Sequence, residues 1–262
     1  MSLILDIGST GMMAQQLNVE VISNNVANMT TTGYKRQRAE FQDLLYQTKI
    51  RPGSASSDAG DTVPTGIQQG LGVKAGSVYR INEQGALQMT GNELDIAITG
   101  NGYFQIALPS GETAYTRDGS FQMNQNGEIV SSEGYRLEPN ITIPADALDI
   151  TINKSGEVLV KLEGQTALSN VGQIQTVVFA NSAGLDAIGD NLFLETTASG
   201  APTTGTPNAD GFGGIEQGAL EGSNVDVVNE ITSLIQAQRA YEMNSKIIQT
   251  GDEMMSTVTQ LR

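Results

Sequence analysis

The stretch "SNNVANMTTTGYKR", residues 23–36, ends a helical pattern that begins close to the N-terminus. Before it, apolar residues recur every seven positions, at Leu5, Met12, Val19 and Val26. This period predicts an amphipathic helix with a heptad-like seam. The asparagine and threonine side chains of the stretch compete for backbone hydrogen bonds, and Gly33 tolerates a positive φ. The first helix is therefore predicted to stop near Asn28.

The C-terminal segment repeats this pattern at greater length. One apolar column with a period of seven contains Val227, Leu234, Tyr241, Ile248 and Met255, and a second contains Ala240, Ile247, Met254 and Leu261. Ser223 with Asp226 resembles a capping box, which predicts that this helix begins directly after Ser223. At 1.5 Å per residue such a helix spans about 55 Å, which is too long for one side of a small domain.

The middle of the chain alternates apolar and polar residues between Gly and Asn turns, which predicts half-buried antiparallel strands. Two turns resemble each other, "NQNGEIV" from Asn124 and "NKSGEVL" from Asn153, and each places a Gly where a hairpin turn needs a positive φ. Before this region, residues 35–73 include a tract rich in Gly, Ser and Asp, which predicts an extended arm or loop.

The predicted fold class is therefore α+β. Long N- and C-terminal helices pair as a coiled-coil-like stalk, and a mainly antiparallel β-domain and an extended arm are inserted between them. We expect a discontinuous helical domain (1–34 plus 222–262), a connecting arm (35–73) and a β-rich outer domain (74–221). A two-helix stalk covers only part of either apolar stripe, so the rest is expected to pack against other copies of the chain. This pattern favours a polymer subunit.

Composition excludes several classes of function. The formal charge is −15, from 29 acids and 14 bases, which argues against binding to nucleic acid and to anionic lipid surfaces. Cysteine and histidine are absent, so neither a Ser-His-Asp or Cys-His nucleophile nor a His/Cys zinc site can be assembled. The N-terminus has no basic region and Asp6 interrupts its apolar run, so we expect neither a cleaved signal peptide nor membrane insertion.

Two alternatives remain open. The turn around Asn124 has a spacing like that of an EF-hand loop, which would suit a secreted calcium-binding β-protein. Its candidate ligand positions, counted from Gln122, are Asn124, Asn126, Gly127, Ile129 and Glu133. A carboxylate-only peptidoglycan hydrolase would use acid pairs such as Asp95 with Glu112, or Asp118 with Glu128. Flanking strands favour a hairpin over a calcium loop, and no acid has an identifiable partner that would shift its pKa, so we expect no catalysis, metal or cofactor.

Two terminal motifs resemble the signatures of the bacterial flagellar rod and hook family. The first signature is carried by Ser23, Asn24, Asn25, Ala27, Asn28, Thr31, Thr32, Gly33 and Tyr34, and the second by Gln238, Arg239, Ala240, Tyr241 and Asn244. Segments such as "RAEFQDLLYQT", "TAYTRDGSF" and "LEGSNVDVV" extend the resemblance over nearly the whole chain. The arm is similar to a segment that distinguishes one rod branch of the family, and its marker residues are Tyr46, Arg51, Pro52, Pro64, Gly66 and Gly70.

The resemblance implies a structural subunit of the distal rod, which polymerises into a tube that transmits torque and leaves a central export channel. It implies export through the flagellar type III apparatus without a cleaved signal, and a place in the periplasm-spanning rod. The implied partners are further copies of the chain, the proximal rod proteins, the hook protein, and the P- and L-ring proteins.

The surfaces predicted to pack between copies lie on both helices. In the first helix they are Leu5, Met12, Met13, Leu17, Val19, Ile22 and Val26. In the second they are Val227, Ile231, Leu234, Gln238, Arg239, Ala240, Tyr241, Asn244, Ile247, Ile248, Met254, Met255, Val258 and Leu261.

Overall fold

The computed structural model describes residues 3–52, 65–164 and 167–260, and it confirms the α+β class with a helix near each end and antiparallel sheets between them. The chain divides into two compact units. The first unit contains the described residues up to Val26, those of Gln37–Tyr79, and those from Asp226 onward. The second unit contains Ala27–Arg36 and the described residues of Arg80–Val225.

The two helices of the first unit run antiparallel. They are α1, Leu3–Ala27, and α2, Val227–Gln260, and their 25 and 34 residues correspond to about 37 Å and 51 Å. Leu5 of α1 lies near Gly251 of α2, whereas Asn25 bonds to Glu230. The residue numbers thus rise along one helix as they fall along the other. Beyond Gly251, α2 continues to Gln260, which is about two and a half turns.

The ends of the helices follow from local hydrogen bonding. The predicted stop near Asn28 is confirmed, because α1 ends at Ala27 and a turn with a hydrogen bond from Thr31 N to Asn28 O follows. The prediction that Ser223 begins a capping box is wrong. The cap of α2 is Asp226, whose Oδ1 accepts hydrogen bonds from the N–H groups of Val228 (3.0 Å) and Asn229 (3.4 Å). An acid at this position also favours the positive end of the helix dipole.

Four strands complete the first unit: β1 (Gln37–Asp43), β2 (Tyr46–Ile50), β3 (Ile67–Gly70) and β4 (Val73–Arg80, whose last residue belongs to the second unit). Strand β1 pairs with β4, and β2 pairs with β3 in an antiparallel hairpin that brings Tyr46 opposite Gly70. The segment expected to be an extended arm thus contains β1, β2 and β3. Residues 53–64, and with them Pro64, lie outside the described residues.

The second unit is built from short strands. In chain order these are β5 (Leu87–Met89), β6 (Ile96–Thr99), β7 (Tyr103–Ala107), β8 (Thr113–Thr116), β9 (Gln122–Met123), β10 (Ile129–Val130), β11 (Arg136–Glu138), β12 (Ala147–Ile152), β13 (Glu157–Leu162), β14 (Ser169–Gln173), β15 (Thr176–Val178), β16 (Asp186–Gly189), β17 (Leu192–Leu194), β18 (Thr203–Gly205), β19 (Gly214–Gln217) and β20 (Ala219–Glu221). A short 3₁₀ turn, Ser182–Gly184, lies between β15 and β16.

The largest sheet has the order β16-β17-β8-β7-β11-β10-β9, and β15 joins it by pairing with β7 and β18. The smaller sheets are β12-β13-β14, β19-β6 and β20-β5. The main core is a cluster of aliphatic side chains around Phe104 and Phe121, whose rings meet edge to face at 5.3 Å. A second cluster packs Tyr103, Tyr115 and Phe179 together with Phe193. Both clusters lie within the second unit.

Candidate assembly surfaces

Small residues allow α1 to approach α2 closely. A Cβ added at Gly8 would lie 2.8 Å from Cγ1 of Ile248, and one added at Gly11 would lie 2.8 Å from Nδ2 of Asn244. Real Cβ atoms do not reach such distances, so glycine at both positions makes the approach possible. Gly251 of α2 lies close to α1 as well but less tightly, because a Cβ there would lie 3.3 Å from Cδ2 of Leu5.

Asn25, a residue of the N-terminal signature, is a buried polar link. Its side chain bonds to β1, because its Oδ1 accepts from Gln37 N (2.8 Å) and its Nδ2 donates to Gln37 O (2.8 Å). The same Nδ2 donates to Oε2 of Glu230 in α2 (3.2 Å). Asn25 is only 1% exposed, so these bonds compensate the loss of water around its amide. One side chain therefore ties α1, β1 and α2 together within the first unit.

The α1 residues that were predicted to pack between copies differ in their exposure to solvent. Ile22 is buried and Met13 is exposed. The half-buried members are Leu5, Met12, Leu17, Val19 and Val26. Ile4 and Ile7, which the heptad columns omitted, are also exposed. Part of the apolar surface of α1 is therefore open in the single chain.

The solvent-exposed side of α2 carries more apolar residues than the two seven-residue columns predicted. Of the predicted residues, Ile231, Gln238, Arg239, Tyr241, Ile247, Met254 and Met255 are exposed, and Val227, Leu234, Ala240, Asn244 and Ile248 are half-buried. Sequence reasoning missed the exposed Val228, Ile235 and Met243 and the buried Ala237. The side chain of Val258, and Leu261 altogether, lie outside the described residues.

The rest of the N-terminal signature lies around the end of α1. Ser23, Asn24 and Ala27 are exposed, and Asn28, Thr31, Thr32 and Tyr34 are half-buried. Gly33 is buried and has the predicted positive φ, +68°. Its N–H donates to Glu221 O (2.7 Å), and a Cβ there would lie 3.0 Å from the backbone of Arg117 and Asp118. Glycine is thus required by a close backbone approach in the second unit.

Directly after Gly33, a buried ionic cluster joins distant parts of the second unit. Glu221 Oε1 accepts from Lys35 Nζ (2.6 Å) and from Gly85 N (2.9 Å). Its Oε2 accepts from Nε of Arg117 (2.9 Å), with the NH2 nitrogen at 2.8 Å. Lys35 also donates to Glu83 O (2.8 Å). Sequence reasoning missed this cluster, because its three charged residues are far apart in the chain.

Electrostatics in the cluster favours an ionised Glu221. Burial alone would raise the pKa of its carboxyl, but Arg117 and Lys35 outweigh burial and hold the pKa below its usual range. Burial lowers the pKa of Lys35, although Glu221 lies beside it. Arg117 is fixed by further bonds from its NH1 to Gly100 O and Gly102 O, both 2.8 Å. The charged atoms of the cluster are thus held by both side chains and backbone.

The hairpin of β2 and β3 carries the predicted arm markers. Tyr46, Arg51 and Pro52 are exposed, and Gly66 and Gly70 are half-buried. A Cβ at Gly66 would collide with Ile50 O, so glycine allows the chain just before β3 to lie close to the end of β2. Leu45, Ile50 and Ile67 expose further apolar surface, and Leu45 is 82% exposed. Most side chains of the β2–β3 hairpin are therefore exposed to solvent, and several of them are apolar.

The two similar turns have the same hydrogen-bond network. Asn124 Oδ1 accepts from the N–H groups of Asn126 and Glu128 (both 2.9 Å), and its Nδ2 donates to Glu128 Oε2 (2.8 Å). Asn153 makes the equivalent bonds to Ser155 and Glu157 (2.6–3.0 Å). The side-chain oxygen that a calcium ion would need is thus occupied by backbone donors, which favours the hairpin.

The acids considered for hydrolysis are held in structural roles. Asp95 accepts from Thr90 Oγ1 (2.6 Å) and Asn92 Nδ2 (2.9 Å), and Asp118 accepts from Ser120 N (3.0 Å). Hydrogen bonds from Asn124 and Asn140 lower the pKa of Glu128, whereas a general acid needs a raised pKa. Within residues 3–52, 65–164 and 167–260, no group of three or more acidic residues could hold a metal ion. Over the same residues, no helix is long and apolar enough to cross a membrane.

Comparisons with known proteins all indicate flagellar rod and hook proteins. Three family descriptions match: "Flagella basal body rod protein" at 5–35, "Flagellar hook protein FlgE/F/G D1 domain" at 97–160, and "Flagellar basal body rod FlgEFG protein C-terminal" at 216–261. The chain is 63% identical to the flagellar basal-body rod protein FlgG of Caulobacter vibrioides, over 97% of both chains. It is 52% identical to FlgG of Agrobacterium fabrum over 98% of both, and 42% identical to FlgG of Bacillus subtilis over 97% of both.

Proposed function

Because the chain belongs to the flagellar basal-body rod protein family and is a structural subunit of the rod rather than an enzyme, we propose that many copies form the helical tube of the distal rod. The observation that carries this proposal is the exposed apolar surface of α2. Val228 is 73% exposed, and Ile231, Ile235 and Ile247 are each exposed by nearly half. In the described part of the chain, neither α1 nor the strands of the first unit cover these side chains.

Burial of this surface against other copies supplies the driving force for assembly. Full burial of one aliphatic side chain stabilises by about 1.5–3 kcal/mol, and roughly half of each side chain is still available. The end of α2 beyond Gly251 adds Met254 and Met255, which are also exposed. Methionine adapts its shape to irregular partners, so this end suits packing against helices of neighbouring copies.

In the proposed tube, α1 and α2 pair as in a coiled coil and pack with neighbouring pairs around a central export channel. Residues 1–34 and 222–262 would form this inner layer, 74–221 an outer β-rich layer, and 35–73 an arm across adjacent subunits. Each helix is then held by several neighbours. Torque would pass to the hook because twisting the tube has to shear many close-packed side chains at once.

The family also suggests where this subunit works. We propose that it joins proximal rod proteins on one side and the hook protein on the other, with the P- and L-ring proteins around the shaft. The subunit would cross the periplasm as part of the rod after export by the flagellar type III apparatus, without cleavage of a signal peptide. These interactions would use the exposed surfaces of the arm and of the second unit.

Ile235 provides a sharp test of the assembly surface. It is 46% exposed, so Ile235→Asp loses about half of a buried aliphatic side chain and should lower the unfolding midpoint of the single chain by about 2–6 °C, which leaves it folded. A charge buried in a packed seam costs several kcal/mol, so the same change should block polymerisation. Ile235→Val is the matched control, because it keeps an apolar, β-branched side chain. Rod length in basal bodies, seen by electron microscopy, and motility report the outcome. Full-length rods built from Ile235→Asp subunits would contradict the proposal.

A further inference from the structure

A cavity in the second unit lies directly beside the ionic cluster. It has a volume of about 140 Å³ and is lined by polar groups of several segments. The lining includes Lys35, Arg117, Asn82, Asn101, Tyr103 and Ser182. Both basic side chains are at least nine-tenths buried, so they line the cavity from its inner side. The cavity is open enough for a small group to enter from outside.

The charges around this cavity do not balance. Two cations, Lys35 and Arg117, share one carboxylate, Glu221, so the buried cluster carries one excess positive charge. Burial lowers the pKa of Lys35, and the positive charge of Arg117 adds to this effect. Buried charges are normally paired, because an unpaired ion loses its hydration without compensation. An excess cation beside an open cavity is therefore suited to an anion.

Hydrogen-bond donors of Lys35 and Arg117 remain available for such an anion. An ammonium group has three N–H donors, and two from Lys35 go to Glu221 and Glu83 O. A guanidinium has five, and four of those of Arg117 point to Glu221, Gly100 O and Gly102 O. Among the described residues, each cation thus has one N–H donor without an acceptor. The side-chain amide of Asn101 adds a neutral donor to the lining, whereas the hydroxyl of Ser182 is already hydrogen-bonded to that of Tyr103.

A third cation reinforces the positive field. Arg80 lies over the ring of Phe193, 5.3 Å from its centroid, and Phe193 packs against Tyr103 of the cavity lining at 6.0 Å. The chain has a net charge of −15, so such a concentration of positive charge is unusual in it. Acidic residues outnumber basic ones in the sequence as a whole. A second copy of the chain therefore carries many carboxylates that could enter the cavity.

We propose that this cavity is a binding site for a carboxylate group, and that in the polymer an acidic side chain of a neighbouring copy fills it. The second half of this proposal rests on the proposed self-assembly, whereas the first half does not. Two N–H donors on two cations match the two oxygens of a carboxylate, and the volume suits a group of that size. Binding would pair the excess charge of Lys35 and Arg117.

Acetate tests the site in the single, full-length chain. At pH 7 and constant ionic strength, replacing chloride by acetate should raise the unfolding midpoint saturably, by about 3 °C at ten times the dissociation constant. Asn101→Asp places a carboxylate at the cavity lining, so it should raise the midpoint in chloride and remove the acetate effect. Asn170→Asp adds the same charge at an exposed asparagine outside the lining, and it should keep the acetate effect. An equal acetate response in the wild type and in Asn101→Asp would overturn the site.

Assembly distinguishes the two sources of the carboxylate. If a neighbouring copy supplies it, saturating acetate should slow polymerisation of the wild type several-fold relative to chloride, and Asn101→Asp should polymerise slowly in both salts. Acetate binding without any effect on polymerisation would leave a site for free carboxylates and overturn the role of the neighbour. Failure of the wild type to polymerise at all would count against the proposed function, whereas the acetate shift would still report on the site.

Discussion

Glu221 shows how one residue can organise a β-rich unit. Its carboxylate is fully buried, and its bonds reach Lys35, Gly85 and Arg117, which come from three different segments. Its own backbone oxygen accepts from Gly33 N. A buried charge is stable only when its partners are in place, so the cluster favours one arrangement of these segments over others.

Glu221→Gln should destabilise the second unit strongly. The neutral amide leaves Lys35 and Arg117 buried without a counter-charge, and breaking a buried pair in this way costs about 3–5 kcal/mol. Urea unfolding of the full-length chain measures the loss. The matched control is Glu216→Gln on β19, whose exposed side chain should contribute within about 0.5 kcal/mol. Equal effects of the two substitutions would contradict the proposed importance of the cluster.

The same residue should give the protein an acid-sensitive stability. The pKa of Glu221 in the folded chain lies below its ordinary value of 4.5, so the folded state binds fewer protons than the unfolded state in this range. Its stabilisation is fully present above the ordinary pKa and is lost as pH falls through the lowered one. The free energy of unfolding, measured by urea from about pH 7 to about pH 3, should fall less steeply in Glu221→Gln than in the wild type. Parallel curves would contradict this assignment.

Residue-level features were predictable only where local geometry determined them. The positive φ of Gly33 follows from the residue type and the helix stop before it, and the structure confirms it. The ionic cluster could not be predicted, because Lys35 and Arg117 lie 186 and 104 residues from Glu221 in the chain, and all three look like ordinary surface charges in the sequence. Only the tertiary fold shows that they are buried together.

At the scale of elements, the approach of α1 to α2 depends on glycine more than on large apolar residues. Glycine in a helix costs about 1 kcal/mol relative to alanine, so Gly8 and Gly11 weaken α1 as an isolated helix. In return, Asn244 and Ile248 of α2 can lie against its backbone. The seven-residue columns predicted both helices but not this surface, since such columns count large apolar side chains and ignore glycine.

Gly8→Leu should therefore disrupt the helix pair. A leucine has a higher helix propensity than glycine, but its Cβ alone would lie 2.8 Å from Ile248 Cγ1. We expect faster amide exchange in α1 and in the second half of α2, and a loss of polymerisation. Ser9→Leu is the control, because Ser9 is exposed on the next position of the same helix. Protection of α1 amides that is equal in both variants would show that the close approach is unimportant.

At the scale of the whole molecule, the chain alternates between the two units. Residues 27–36 belong to the second unit, the described residues of Gln37–Tyr79 return to the first, and α2 returns to it again after Val225. Local patterns predicted the helix, sheet and helix order because each pattern has its own period. They could not predict that strands β1 to β4 join the unit of the helices, since strand pairing between distant segments leaves no local signal. The division into axial, arm and outer functions stays a prediction.

The arm provides the prediction for the assembled molecule. Deleting residues 48–66 joins Gln47 directly to Ile67, and Gln47 already pairs with Gln69, so two residues remain to connect the paired positions. Because the deletion leaves both helices and the second unit unchanged, folding, export and polymerisation should persist. The exposed Ile50 and Ile67 would no longer be presented together to an adjacent subunit, and weaker packing between subunits lowers the resistance of the tube to bending. Electron microscopy of basal bodies should then show rods that are curved or variable in direction. Replacing only residues 53–64 by an equally long Gly-Ser segment is the control that keeps β2 and β3, and it should retain straight rods. Rods that remain straight after the deletion would show that the arm does not stiffen the assembly.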